Sequence, residues 1–263
     1  MSIRAGDQAS DAITVEQIRG LAVSSHSFGD TVALLVDWAG RRDRMRYFTC
    51  DNAYSAELAC RDPEFMAAMQ TADLIVADGA GIVVASWILG GAIRERVTGP
   101  DLFPAISREL DRQGGRSVFY LGTSEDTLEK IRRRHTADFP RLRIAGMLAP
   151  PYRGRFSEEE LATMADAVNA AEPDVLWVGL GAPKQENWIF ANRARLRVPL
   201  CCPVGAVFDY YAGNTRMPPA WIRRTGFHWL YRLLQDPRRL WRRSLDIPRF
   251  LGNVTIARWR GRR

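Results

Sequence analysis

The chain has 263 residues, 46% of them hydrophobic and 25% charged, with a formal charge of +7. This composition excludes a largely disordered chain, and the length suits one large domain or a domain with an appendage. Four cysteines without a CxxC spacing exclude a zinc ribbon or a dithiol motif, and the adjacent Cys201-Cys202 pair reads as two reduced, buried thiols of a reducing compartment.

Residues 1–12 are polar and are expected to be flexible, with no apolar core of an export signal. Short apolar runs then alternate with helical periods. Strands are expected at Arg46–Thr49, Leu74–Ala77, Ser117–Leu121, Arg141–Ala145, Val175–Gly179 and Pro199–Cys202. Helices are expected to open at Asp62-Pro63-Glu64, at Ser124-Glu125-Asp126, and at the capping box Ser157-Glu158-Glu159-Glu160. This alternation implies an α/β fold, a Rossmann-like mostly parallel sheet with helices on both faces, over residues 13–214. The run Leu74–Ile93 contains Asp78 and four glycines and is not a membrane span.

Strand signals stop near Asn214–Pro219. From Arg216 onward stand 13 arginines against two acids, a balance of +11; residues 1–215 carry 24 basic and 28 acidic groups, or −4. Four of the eight tryptophans, Trp221, Trp229, Trp241 and Trp259, lie in the same stretch. Helices are expected over Pro219–Gln235, Pro237–Arg243 and Pro248–Arg260. Tryptophan and arginine on short amphipathic helices suit the interface of an anionic membrane, so residues 215–263 read as a basic helical appendage that associates with it. Nucleic acid is the weaker alternative, because a phosphate-tracking arm does not require four tryptophans.

In an open parallel sheet, ligands bind beyond the carboxyl ends of the strands. Asp78-Gly79-Ala80-Gly81 follows one strand; its carboxylate reads equally as a helix cap or as a group at the mouth of a cleft. Gly79 to Val84 nearly matches a dinucleotide fingerprint, with Val84 where Gly or Ala is wanted, so an oxidoreductase is the alternative reading. Gly181 and Lys184, one of only two lysines, occupy a second glycine turn together with Gln185. Arg96 lies in a third loop and Asp209 in a fourth. The three histidines adjoin no hydrolase signature and no Asp-x-Asp occurs. Chemistry without a metal is therefore expected, with arginines and helix N-termini neutralising phosphate.

Taken together, Ala72-Asp73-Leu74 through Asp78-Gly79 and Gly81, Leu89-Gly90-Gly91, Glu95-Arg96-Val97-Thr98-Gly99, Gly179 through Glu186, Gly205-Ala206 and Phe208-Asp209 resemble the WecG/TagA/CpsF family of bacterial glycosyltransferases. The Arg216, Pro218, Trp221, Trp229 and Arg232 pattern is similar to that family's C-terminal segment. The resemblance implies inverting transfer from a UDP-sugar donor to a polyprenyl-pyrophosphate-linked sugar acceptor, without a cofactor, at the cytoplasmic face of the inner membrane. It implies Asp78 as general base, Arg96 beside it as a catalytic group, Thr49 and Gln185 at the substrate, and Arg216, Arg224 and Arg232 over the donor diphosphate. One departure is Asp51, where the family usually has Asn; Asn52 comes next.

Overall fold

The computed structural model describes residues 13–151, 153, 156–219, 222, 228–235 and 237–260. The flexible stretch expected at 1–12 lies outside them, as do Trp221 and Arg224.

Eight strands form one sheet in the order β1-β2-β4-β3-β8-β7-β5-β6, parallel except for β1 (Val15–Ile18) on β2 (Leu21–Ser24). This opening hairpin was not expected from sequence. Its strands have four residues each, too short for a period, and turn at Arg19-Gly20, both in the left-handed region (φ +54° and +82°). The other strands are β3 (Arg46–Asp51), β4 (Leu74–Ala77), β5 (Ser117–Gly122), β6 (Arg143–Leu148), β7 (Val175–Gly179) and β8 (Leu200–Pro203). Four of the expected strands shift in their boundaries, β5 only by adding Gly122. The strand at Arg46 runs on to Asp51, because Cys50 and Asp51 keep register with Val76 and Ala77. The one expected at Arg141 starts at Arg143, because the main-chain N–H groups of Arg141 and Leu142 donate to the Asp111 carboxylate instead. The one expected at Pro199 starts at Leu200.

Helices cover both faces. On one lie α1 (Phe28–Gly40), α5 (Gly99–Gln113), α6 (Glu125–Asp138) and α9 (Val207–Tyr211); toward the other lie α2 (Ala53–Ala59), α3 (Pro63–Gln70), α4 (Ala80–Leu89), α7 (Glu158–Ala171) and α8 (Lys184–Asn192). The expected caps form: Asp62, Ser124 and Ser157 each accept main-chain N–H groups of their helices, and Glu160 returns the bond to Ser157. The unbroken apolar runs are explained by burial on both sides. Val175 and Trp177 join the α1/α5/α6 core, while Leu176 and Val178 join the α7/α8 core. Cys201 and Cys202 are buried free thiols.

The tail supplies α10 (His228–Gln235), α11 (Pro237–Ser244) and α12 (Asp246–Arg260). The last of these starts two residues before the expected Pro248, which fits within its first turn. It returns to the body. Phe250, 0% exposed, and Val254 enter a core cluster with Ile18, Leu21, Ala53, Ile82 and Ala85. Buried Glu57 of α2 accepts from Asn253 (3.1 Å) and pairs with Arg19 (3.1 Å) and Arg249 (3.7 Å), and Asp246 pairs with Arg61 at 3.1 Å. No helix among the described residues is long and apolar enough to cross a membrane.

Candidate active site

β5 and β7 are neighbours, yet their chains leave for opposite faces: β5 feeds α6 and β7 feeds α8. The loops part there, which is the topological switch point of an open α/β sheet. A cavity of about 790 Å³ occupies it, lined by Thr123 and Ser124 after β5, Gly181 and Lys184 after β7, and Gly205 and Asp209 after β8. The N-termini of α6 and α8 face this space, where Lys184 and Arg153 stand against the carboxylates of Glu125 and Asp209. Lys184 Nζ donates to the Arg153 carbonyl at 2.6 Å, which ties the loop after β6 to the same cavity. Thr215 and Gln235 complete the rim, and Gln235 donates to the Arg216 carbonyl at 3.3 Å. The end of α10 is thereby drawn to the cavity mouth.

In the sequence Ser124 reads only as a helix opener, and Thr123 beside it does not stand out. Thr123 stands at φ +59° behind Gly122 at φ +124°. A left-handed threonine at the lip of a cavity is a strained position of the kind that gathers at binding sites. No sequence signal marks it.

Asp78 lies three strands along from β7, at the end of β4. Its main-chain N–H donates to the Asp51 carbonyl at 2.8 Å, and that of Gly79 to the same oxygen at 3.4 Å. The two turns are in close contact: a Cβ on Gly79 would stand 2.9 Å from the Asn52 Cβ, and one on Gly81 would stand 3.3 Å from Ala53 and 3.9 Å from the Phe250 ring. These two glycines therefore let α2, α4 and α12 approach one another.

The Asp51 carboxyl is completely buried. One oxygen accepts from Ser55 Oγ at 2.8 Å; the other has no partner among the described residues. Burial pushes this group up to about 7, with the charge of nearby Asp78 adding to the rise and the Ser55 hydroxyl opposing it. Thr49, two residues earlier on the same face of β3, is 0% exposed, and its hydroxyl too has no partner among the described residues. It lies beneath the surface.

Gln185 is buried rather than presented to the cavity. Its Oε1 accepts from the Gly181 N–H at 3.1 Å, and its Nε2 donates to Glu186 at 2.8 Å. It holds the glycine turn in shape. Glu186 is buried in turn, and burial raises its carboxyl to about 7. Arg96 lines a second cleft, of about 1200 Å³, between α5 and α6. Arg216 is exposed; Arg224 and the side chain of Arg232 lie outside the described residues.

Thus Gly181, Lys184 and Asp209 meet in one cavity, Asp78, Gly79 and Thr49 gather around the ends of β3 and β4, and Arg96 lines the neighbouring cleft. Two further buried polar side chains have purely structural surroundings. His135 is buried between the Tyr120 hydroxyl (2.9 Å) and the Leu142 carbonyl (2.6 Å). Asp174 accepts from the Ser117 N–H at the amino edge of the sheet. Among the described residues no three His, Cys, Asp or Glu side chains gather as a metal cluster.

The sequence model of the glycosyl transferase WecG/TagA/CpsF family matches residues 16–263. The chain belongs to this family. The match spans the sheet, the glycine turns and the tail together, and it makes the protein a glycosyltransferase. Among its relatives is an N-acetylglucosaminyldiphosphoundecaprenol N-acetyl-beta-D-mannosaminyltransferase of Bacillus spizizenii, 33% identical over 196 residues, 74% of this chain and 73% of the relative. Proteins of the same name from Bacillus subtilis and Staphylococcus aureus MW2 are 27% and 26% identical; they share 76% and 74% of this chain and 75% and 73% of their own lengths.

Proposed function

We propose that the protein transfers a sugar from a UDP-linked donor, with inversion and without a metal ion, to a sugar carried on a polyprenyl diphosphate. The named relatives point to N-acetylmannosamine as the sugar moved and to N-acetylglucosaminyl-diphosphoundecaprenol as the acceptor. The observation that carries this reading is the cavity at the β5/β7 switch point, which aims two helix N-termini and Lys184 at one space a short way along the sheet edge from Asp78.

The donor diphosphate lies over Gly181 and Lys184, with Asp209 and Thr123 toward the nucleoside. Asp78 takes the proton of the acceptor hydroxyl as that oxygen attacks the anomeric carbon. The bond to the diphosphate oxygen breaks on the opposite face, and UDP leaves with its charge held by the helix N-termini, Lys184, Arg96 and tail arginines. The Arg216 part of this reading is supported by its main chain, whose carbonyl accepts from Gln235 at the cavity rim. Thr49 and Gln185 act from beneath, by shaping the turns on which substrate rests.

The tail supports peripheral docking at the cytoplasmic face of the bacterial inner membrane. Leu234 is 75% exposed and Trp241 50% exposed, and they share two adjoining helices with exposed Arg238. The Gly79–Val84 turn is in contact with Asn52, Ala53 and Phe250, which disfavours a dinucleotide there.

The test is transfer from UDP-N-acetylmannosamine to an N-acetylglucosaminyl-diphosphate lipid, with the anomeric configuration of the product read by NMR. A β-linked product at a rate unchanged by chelator is expected. Calorimetry that detects NAD binding and no UDP binding would sink the reading.

A further inference from the structure

Arg96 stands on the connection between α4 and α5, and that connection is pinned at both ends. At its far end buried Val97 donates its N–H at 2.9 Å to the carbonyl of Ala77, the residue before Asp78, and the Thr98 hydroxyl accepts from the Asp101 N–H at 3.3 Å as α5 begins. The pin at the near end comes from the opening hairpin. Glu16 of β1 reaches across to the end of α4. One of its carboxylate oxygens accepts from the Ser86 hydroxyl at 2.7 Å; the other accepts from the N–H groups of Ala92 and Ile93, the latter at 2.9 Å. Ile93 is buried, and its N–H also donates to Ser86 Oγ at 3.1 Å. Arg94, Glu95 and Arg96 thus lie between two buried anchors, and Glu95 accepts from the Phe28 N–H at the start of α1.

The two glycines that follow Leu89 make room for this carboxylate. Gly90 ends α4 in the left-handed region, at φ +81°. A Cβ on Gly91 would overlap the Glu16 carboxylate. The Leu89-Gly90-Gly91 motif is therefore a helix stop followed by a seat for an acid from a distant strand. Donors from Ser86, Ala92 and Ile93 converge on that acid, which suits a carboxylate that fixes main chain. The Arg96 guanidinium has no hydrogen-bond or ion-pair partner among the described residues, so its place is set by the loop that carries it.

We infer that Glu16 is a positioning residue for the transfer reaction: through Ala92 and Ile93 it fixes the loop that holds Arg96 against the end of β4. The inference rests on the proposed role of Arg96 at the leaving diphosphate and adds the group that sets its position. Glu16 acts through Arg96 and touches no reacting atom. The opening hairpin then serves catalysis as well as the sheet.

The experiment uses the full chain, UDP-N-acetylmannosamine and an N-acetylglucosaminyl-diphosphate lipid. Glu16→Ala should lower kcat about 10–100-fold while KM for the donor stays within about twofold. Gly91→Ala should reproduce this loss, because its methyl group occupies the seat of the carboxylate. Glu16→Gln keeps an oxygen for the Ala92 and Ile93 N–H groups and an amide that Ser86 Oγ can accept from, so it should retain kcat within about twofold. In an Arg96→Ala background Glu16→Ala should cost about twofold or less, because the two residues act as one unit. Equal losses in both backgrounds, or a loss in Glu16→Gln as large as in Glu16→Ala, would mark a merely structural carboxylate and overturn the inference. Hydrogen exchange separates it from the transfer reading: the Ala92 and Ile93 amides should exchange about tenfold faster or more in Glu16→Ala. If the wild type transfers nothing and exchange still quickens, the clamp stands and the transfer reading falls. Unchanged exchange overturns the clamp whatever the activity.

Discussion

The N–H of Asp78 is fixed to the carbonyl of Asp51 at 2.8 Å, so the candidate base is held by the end of the neighbouring strand as well as its own. A base must meet one hydroxyl in one orientation, and this bond sets the direction in which its turn leaves β4. Replacing Asp78 by Asn preserves the main-chain bond and removes the proton acceptor. The transfer rate should fall by about 10²–10⁴-fold with UDP affinity and melting temperature preserved. Unchanged turnover in Asp78→Asn would exclude this carboxylate as the base.

Asp51 should make stability depend on pH in a direction unusual for a carboxylate. Its folded pKa of about 7 lies above the unfolded value of 3.8, so the folded state holds the proton more tightly. Stability is therefore fully present below pH 4, falls as pH rises toward 7, and levels off above it. Three pKa units correspond to roughly 4 kcal/mol. Glu186, raised to about 7 by burial, contributes with the same sign. In Asp51→Asn the loss of stability between pH 4 and 7 should be about half that of the wild type. Urea unfolding midpoints at pH 5 and pH 8 test this, and an identical difference in both proteins would contradict it.

Gly179 ends β7 directly against the Phe208 ring; a Cβ there would overlap ring carbons, and Phe208 is buried. Gly179→Ala should cost about 1–3 kcal/mol, with the turn that carries Gly181 and Lys184 displaced. Calorimetric melting and UDP titration should both register the change. Pairing it with Phe208→Leu should recover part of the loss, which a purely conformational effect at Gly179 would not allow.

The last helix is structural as well as basic. Phe250→Ala should destabilise the protein by roughly 3–5 kcal/mol, because the ring fills a core shared with Ile82 and Ala85. A chain ending at Ser244 should expose that core and melt at a lower temperature. Limited proteolysis of α4 in the shortened chain would show the uncovered face, and melting identical to the full chain would argue against this docking.

Local chemistry made much of this legible from sequence. The caps at Asp62, Ser124 and Ser157, the two-sided apolar runs of β5 and β7, and the glycine turns at Gly79 and Gly181 are each written within a few residues, because caps, periods and turns are short-range interactions. The order of the strands is not local. Only the folded sheet places β5 beside β7 and so creates the cavity between Thr123 and Lys184. It turns Gln185 inward to bond Gly181, buries Asp51 until its carboxyl favours the proton, and brings Phe250 from the basic tail onto Gly81. Those outcomes depend on contacts between residues far apart in the chain, whose geometry is set by how helices and strands pack and not by the residues on either side of each one.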